Sequence, residues 1–501
     1  MLPVPPLDWR PIWILRNYNS VARYALFQHR NAHPPANGEL FMVSQSPITT
    51  RNTWMRNVML IAIVTAVGGF LFGFDNGSIS GSVGFLQSKF ALDADGIGWV
   101  TSSIIVGCII GVALAGPLSD AVGRKKVLLL TALIFIIGTL GEVMATSAEM
   151  LSWFRIIVGI GIGVETTIAP LYIAEVSPAH IRGRLVSLNQ LFNCIGNLAI
   201  FSIAAIIASY ATETWNIEYG WRMIFATGIA PAIIFLLLLA WVPESPRWLI
   251  RKGRLEQGLD ILRKINPDES TAREQLAAIK LALQSEQSSR LSELFTPRLR
   301  RALIIGFCVA LFQQITGINA IFYYAPEIFK TAGVDVSGAM SFTVLIGMTL
   351  VISTLISMWI IDKVGRRSLL IFGSAGMAVA LSCTGMLFRA SETQTTLLLM
   401  CILAYVAIFA VSYGTVAYVI ISEIFPIHVR GIAVSIATFA LWGGNFFVSR
   451  FFPVLVENIS AANTFFIFAG ISVIALIFVL TMVPETKGKT LEEIEAELHG
   501  N

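Results

Sequence analysis

Apolar residues run through this chain in long blocks, without the short alternations of a soluble domain. A spanning helix needs about 20 predominantly apolar residues. Twelve such blocks occur, at 57–80, 97–118, 126–146, 150–172, 186–209, 221–242, 302–324, 338–361, 369–388, 396–421, 432–454 and 463–483. Between the sixth and seventh, the polar stretch from Arg251 to Arg301 carries Leu and Ile at helical spacing, which predicts short amphipathic helices at the membrane surface. Six spans on each side predict two six-helix bundles, 55–249 and 301–485, joined by a cytoplasmic helical linker, 250–300, with tails at 1–54 and 486–501. The opening "MLPVPPLDWRPIW" has no basic region followed by an apolar core, so it is not a signal peptide. The first tail is expected to be disordered, and Met42 is an alternative start.

Composition sharpens the class. Of 501 residues, 55% are hydrophobic and 13% charged, against about 25% charged in soluble domains, and the mean hydropathy is +0.73. These values describe an all-α integral membrane protein. The net charge of +4 matters less than its placement. Basic residues gather in alternate loops, at Arg124-Lys125-Lys126, Arg182 and Arg184, the central loop, Arg366-Arg367, Arg430, and Lys487 with Lys489. Those loops are expected to face the cytoplasm, with both termini, in a cell-membrane protein. The five cysteines lie inside apolar blocks without paired spacing, and no histidine lies in any span, so neither a metal site nor a histidine relay is expected. No "GxxxxGK[ST]" occurs, which excludes a nucleotide-driven pump of that type. The polar residues of the spans are amides and single carboxylates with no adjacent nucleophile, so an enzyme has nothing to stand on. No cofactor and no nucleic acid partner is expected, and a monomer suffices.

An internal repeat organises the chain. "DAVGRKK" after the second span matches "DKVGRRS" after the eighth, "EVSPAHIRG" matches "EIFPIHVRG", and "PESPRWL" matches "PETKGKTLEE". Three pairs in one order, at a period of about 245 residues, mean a duplicated six-helix unit; parallel repeats of this kind build secondary transporters with a substrate site between the halves. Acids and arginines at the ends of these spans can pair across neighbouring helices and against C-terminal helix dipoles. Asp120, Arg124, Glu175, Arg182, Asp362, Arg366, Glu423 and Arg430 are therefore expected to form a cytoplasmic gate. Ordinary snorkelling charge is the bland alternative, and the occurrence of the motifs in both halves favours the gate.

These motifs, with "FQQITGINAIFYYAPEIF" and "YIAEVSPAHIRGRLVSLNQ", stand in the order of the sugar porter family of the major facilitator superfamily over residues 55–495. The chain resembles that family, and within it the bacterial proton-coupled xylose, arabinose and galactose symporters. The resemblance implies the major facilitator fold, two six-helix bundles related by a pseudo-two-fold axis, alternating around one central site.

Sugar chemistry fits the polar residues of the spans. Hydroxyls that donate and accept at once suit Gln and Asn, which do both without a buried charge, and aromatic walls suit the ring's C–H faces. By resemblance, Gln190 of the fifth span, Gln313, Gln314, Asn319 and Tyr323 of the seventh, and Trp442 and Asn445 of the eleventh are sugar contacts; Phe72 of the first joins them. For Gln313 and Asn319 to converge the seventh helix must break, and Gly317 permits that. Any one amide alone would pass for interhelical glue. Departures from the family pattern are Tyr418, also assigned to the site, in place of tryptophan, Thr415 for a hinge proline, and Leu441 and Leu350 for amides. They leave a pentose, a hexose or a cyclitol such as inositol open.

Coupling turns on intramembrane charge. Asp75 and Arg155 lie at similar depth in the first and fourth spans, where ionisable residues are costly and point to function. Pairing would hold the aspartate ionised, and separating the pair would let it take up a proton. The resemblance agrees, because proton symporters of the family carry an acid here. Glu165, ten residues past Arg155, is a candidate second proton site or a partner for a nearby hydroxyl, while the sixth-span glutamate of some relatives is Gly228. The expected function is import of a monosaccharide with a proton; a uniporter, an inositol or polyol transporter, and a sugar sensor are the rivals.

Overall fold

The computed structural model describes residues 51–178, 180–285, 296–390, 394–425 and 429–489. The expectations for residues 1–50 and for the tail from 490, Met42 included, lie outside the described residues. The description below concerns the unit Thr49–Asn501.

Among the described residues, twelve helices are long and apolar enough to cross a membrane, and there is no strand. Spans 1 to 6 are Arg51–Phe90, Ala94–Val122, Arg124–Met144, Ala148–Val176, Arg182–Tyr210 and Glu213–Trp241. Spans 7 to 12 are Leu299–Thr331, Val336–Val364, Arg366–Arg389, Thr395–Glu423, Arg430–Ile459 and Ala461–Met482. Most outrun the apolar blocks. A helix of 29 residues, such as span 2, rises about 43 Å, more than the roughly 30 Å hydrocarbon layer, so polar ends continue the helix into the interface. Span 1 thus already begins at Arg51, within the stretch expected to be tail.

Three spans are broken. Span 6 passes through a π-turn at Asn216–Gly220 and restarts at Ile229. Span 7 stops at Ile315 and restarts at Ile318. Span 10 breaks at Ser412.

Small residues bring the helices together. On span 1, a Cβ added at Gly69, Gly73 or Gly77 would come within 2.4 Å of span 5 atoms, and one at Gly107, Gly111, Gly159 or Gly163 would clash just as hard between spans 2 and 4. A four-residue small-residue stripe lets backbones touch where lipid supplies no hydrophobic drive between helices. The two six-helix halves meet where span 1 packs on span 7, span 2 on span 11 and span 5 on span 8.

The linker forms helices Pro246–Arg251, Leu255–Ile265 and Glu269–Ser285. Leu259, Leu262 and Ile265 are buried, and Asn57 of span 1 donates to the Lys264 carbonyl at 3.1 Å, which holds the linker beneath the start of span 1. Hydrogen bonds from Arg263 and Arg273 hold the Glu269 carboxyl down at about 2.

Candidate functional site

The repeat motifs meet at one end of each half, called here the basic end. Gly123, with φ 105°, turns the chain from span 2 into span 3, and Gly365, with φ 102°, does the same between spans 8 and 9. Beside the first turn, Arg124 reaches Glu175 through two nitrogens at 3.1 Å and Asp120 at 3.0 Å. Beside the second, Arg366 reaches Glu423 at 3.1 Å. Ser245 donates to Glu175, and Thr486 to Glu423 at 2.6 Å.

The sequence reading overlooked the carboxylates that cap these turns. Glu244 accepts the backbone N–H of Arg124 and Lys125 at 2.9 and 3.1 Å. Glu485 accepts those of Arg366 and Arg367 at the same two distances. Each acid therefore sits on the N-terminus of the following span, where the helix dipole favours an anion. A Cβ at Gly123 would lie 2.3 Å from Glu244, and one at Gly365 2.6 Å from Glu485, so both glycines are demanded by space as well as by φ. The signal lies in the paired "PES" and "PET" of the repeat.

Each network is internal to its half. Arg182 departs from expectation: it is exposed at the start of span 5 and makes no ion pair among the described residues, where Glu175 is occupied by Arg124 and Ser245. Asp120 adds a second partner, Arg251 of the linker, at 2.9 Å. The side chains of Asp362 and Arg430 lie outside the described residues.

The central amides gather around the break in span 7. Gly317 has φ 101°, in the left-handed region, and a Cβ there would lie 2.7 Å from the Phe468 ring. Across this break the Asn319 amide donates to the Gln314 carbonyl oxygen. Gln313 donates to the Tyr413 carbonyl at 3.1 Å. Tyr323 donates to Asn76 of span 1 at 3.2 Å. The Phe72 and Trp442 rings sit 5.8 Å apart, one from each half, and Asn445 accepts from Ser449 at 2.9 Å. Gln190, half-buried, is turned along its own helix toward Cys194, at 3.7 Å. Tyr418, 51% exposed, sets its hydroxyl against the Gln313 side chain. Leu350 and Leu441 are buried apolar residues, as their substitution for amides implies.

Away from the basic end lie the buried charges. Arg155, fully buried, stands 3.6 Å from Asp75, and its Nε donates to the Val100 carbonyl at 3.1 Å. A second acid absent from the sequence reading, Glu142 of span 3, stands 3.6 Å from another nitrogen of the same arginine. It lies two residues before the end of its span, where a lone acid reads as surface charge. Glu165 is separate: it accepts from Asn189 of span 5 at 3.2 Å and fits because Gly68 has no Cβ, which would lie 2.2 Å from its carboxylate.

Contacts between the halves are formed at the far end and at mid-depth. Arg450 of span 11 pairs with Asp95 of span 2 at 2.6 Å, Tyr323 bonds Asn76, and Cys194 lies 3.4 Å from Thr354. A cavity of about 460 Å³ remains outside this seam, lined by Gln87, Asp93, Tyr324, Glu327, Phe452 and Phe465; it is apart from the amides.

Twelve spans in two repeated halves, with buried amides and charges between and beneath them, define a multi-pass membrane transporter of the major facilitator fold and not an enzyme. The chain belongs to the sugar transporter family: the family described as "Sugar (and other) transporter" matches residues 61–498. It is 43% identical to the arabinose-proton symporter of Bacillus subtilis, over 89% of this chain and 96% of that protein. It is 37% identical to the D-xylose-proton symporter of Escherichia coli K12, over 88% and 95%. The partially occluded inward-open structure of the xylose transporter XylE from E. coli superposes with a TM-score of 0.79 at 35% identity, covering 87% of this chain and all of that one.

Proposed function

We propose that this protein imports a monosaccharide in symport with a proton, by alternating access between its halves, 55–249 and 301–485, as a monomer in the plasma membrane. The basic end and both termini then face the cytoplasm. The observation that carries the reading is the adjacency of two chemistries. Asp75, paired with Arg155, is followed directly by Asn76, which Tyr323 of the amide-bearing span 7 holds across the two halves.

Sugar recognition falls to Gln190, Gln313, Gln314, Asn319, Tyr323, Trp442 and Asn445, with Phe72 and Tyr418 as walls. The buried Gln313 amide can offer a sugar hydroxyl both a donor and an acceptor. Asp75 carries the proton: ionised while Arg155 is beside it, protonated when the far end opens and the pair parts. Glu165 provides a second proton station nearer the cytoplasm. The seam at Asp95–Arg450 and Asn76–Tyr323 closes the far end, so the conformation is inward-facing, in keeping with the likeness to inward-open XylE. Asp120, Arg124, Glu175, Arg366 and Glu423 brace the cytoplasmic ends of each half as gate elements.

Pentose substrates have the stronger support, from the named relatives. Counterflow in proteoliposomes with labelled arabinose, D-xylose, glucose and myo-inositol tests the class. Exchange of a pentose or hexose is expected; exchange of none of the four would sink the reading.

A further inference from the structure

The one arginine of the charged site has two acids, and proton symport as proposed above uses only one of them. Arg155 divides its nitrogens: Nε goes to the Val100 carbonyl, one terminal nitrogen faces Asp75 and the other faces Glu142. Because the acids address different nitrogens, both can be held at once. All three side chains are buried, Arg155 and Glu142 completely and Asp75 to 3% exposure. Neither Glu142 oxygen has a hydrogen-bond partner among the described residues, and the Arg155 guanidinium, at 3.6 Å, is its one ion-pair partner there.

The two acids stand on helices with different freedom. Asp75 is on span 1, which packs on spans 4 and 5 of its own half and also on span 7 of the other, to which it is tied at the next residue through Asn76 and Tyr323. Glu142 is on span 3, which packs on spans 2, 4 and 6 within its own half. Opening the far end must therefore change the surroundings of Asp75 while leaving Glu142 against Arg155.

We propose that Glu142 is a positioning residue for the proton step: it is the standing counter-charge of Arg155, which lets Asp75 accept a proton without stranding a buried cation. A guanidinium with no ionised partner in this setting is strongly unfavourable. With Glu142 in place, Asp75 is free to be ionised or neutral. Its negative charge beside Asp75 also favours the protonated form of the aspartate. The other titratable or charged groups facing the cluster are Cys108 of span 2 and Tyr323 and Tyr324 of span 7. Arg222 of span 6 is committed to the Val143 and Ala145 carbonyls at 3.3 and 3.0 Å, and the Phe225 ring lies 5.8 Å from the guanidinium.

This inference rests on the symport reading, and two measurements separate their fates. In proteoliposomes, the pH of half-maximal arabinose or D-xylose uptake by Glu142→Gln should move to the acid side by about one pH unit or more, while Glu142→Asp stays close to wild type. A variant that is merely slower, with the wild-type pH profile, overturns the inference and leaves symport standing. The second measurement needs no transport. Glu142→Gln and Asp75→Asn should each leave Arg155 one partner, so the double variant should lose far more melting temperature than the two single losses added, and Arg155→Gln should restore much of it. Additive losses would contradict the shared counter-charge, whatever the protein carries.

Discussion

Tyr323 of span 7 donates to Asn76 of span 1 at 3.2 Å, one residue past the aspartate that faces Arg155. This bond joins the two halves, the amide cluster and the charged site at a single point. Tyr323→Phe removes the hydroxyl and leaves the Asn76 oxygen buried without a donor, at a cost of about 1–3 kcal/mol to the far-end-closed state. Fewer molecules should then rest closed, and a cysteine placed at Val83, buried at the lining of the far cavity, should react faster with an impermeant maleimide. Unchanged reactivity would mean that the bond does not hold the seam.

The break in span 7 depends on one glycine. At φ 101° an alanine pays about 1–2 kcal/mol for the left-handed conformation, and its methyl would press into Phe468. Gly317→Ala should lower the melting temperature and abolish the stabilisation by sugar, because Gln314 and Asn319 meet only across this break. Thermal-shift titration reads both effects at once.

Recognition should lean on span 7, since Leu350 and Leu441 supply no hydroxyl partners. Replacing Gln314 by Ala removes a buried amide and the acceptor for Asn319; losing such a bond is worth about 1–3 kcal/mol, or 5- to 150-fold in sugar affinity. A change in binding below twofold would move the site elsewhere.

Glu244 and Glu485 perform the same task in the two halves, each capping a span beside a positive-φ glycine. Glu244→Gln and Glu485→Gln should each cost about 0.3–2 kcal/mol. Because the two lie in different halves and share no partner, the double variant should match the sum within about 0.5 kcal/mol. Marked non-additivity in melting would show that the two turns communicate.

Much of this was legible along the chain, for reasons that are physical. A block of 20 apolar residues has few destinies besides a span, and a motif repeated in order leaves little choice but duplication. The break at Gly317 could be read from a glycine set among amides. Helix ends could not, since polar residues beyond the hydrocarbon continue the same hydrogen bonds; hence span 1 starts at Arg51. Nor could adjacency between helices. Nothing local says that Glu142, at the end of span 3, faces an arginine near the start of span 4, or that Glu175 turns to Arg124 and leaves Arg182 exposed. The π-turn in span 6, at Asn216–Gly220, left no mark that the hydropathy pattern carried.

The central claim is that Asp75 couples sugar movement to the proton gradient, and accumulation in proteoliposomes tests it most directly. With an inward-directed pH gradient, wild type should concentrate arabinose or D-xylose above the external level, and a protonophore should collapse the excess. Asp75→Asn should still exchange labelled sugar but never concentrate it. A wild type that only equilibrates, or an Asp75→Asn variant that accumulates as well as wild type, would contradict the account.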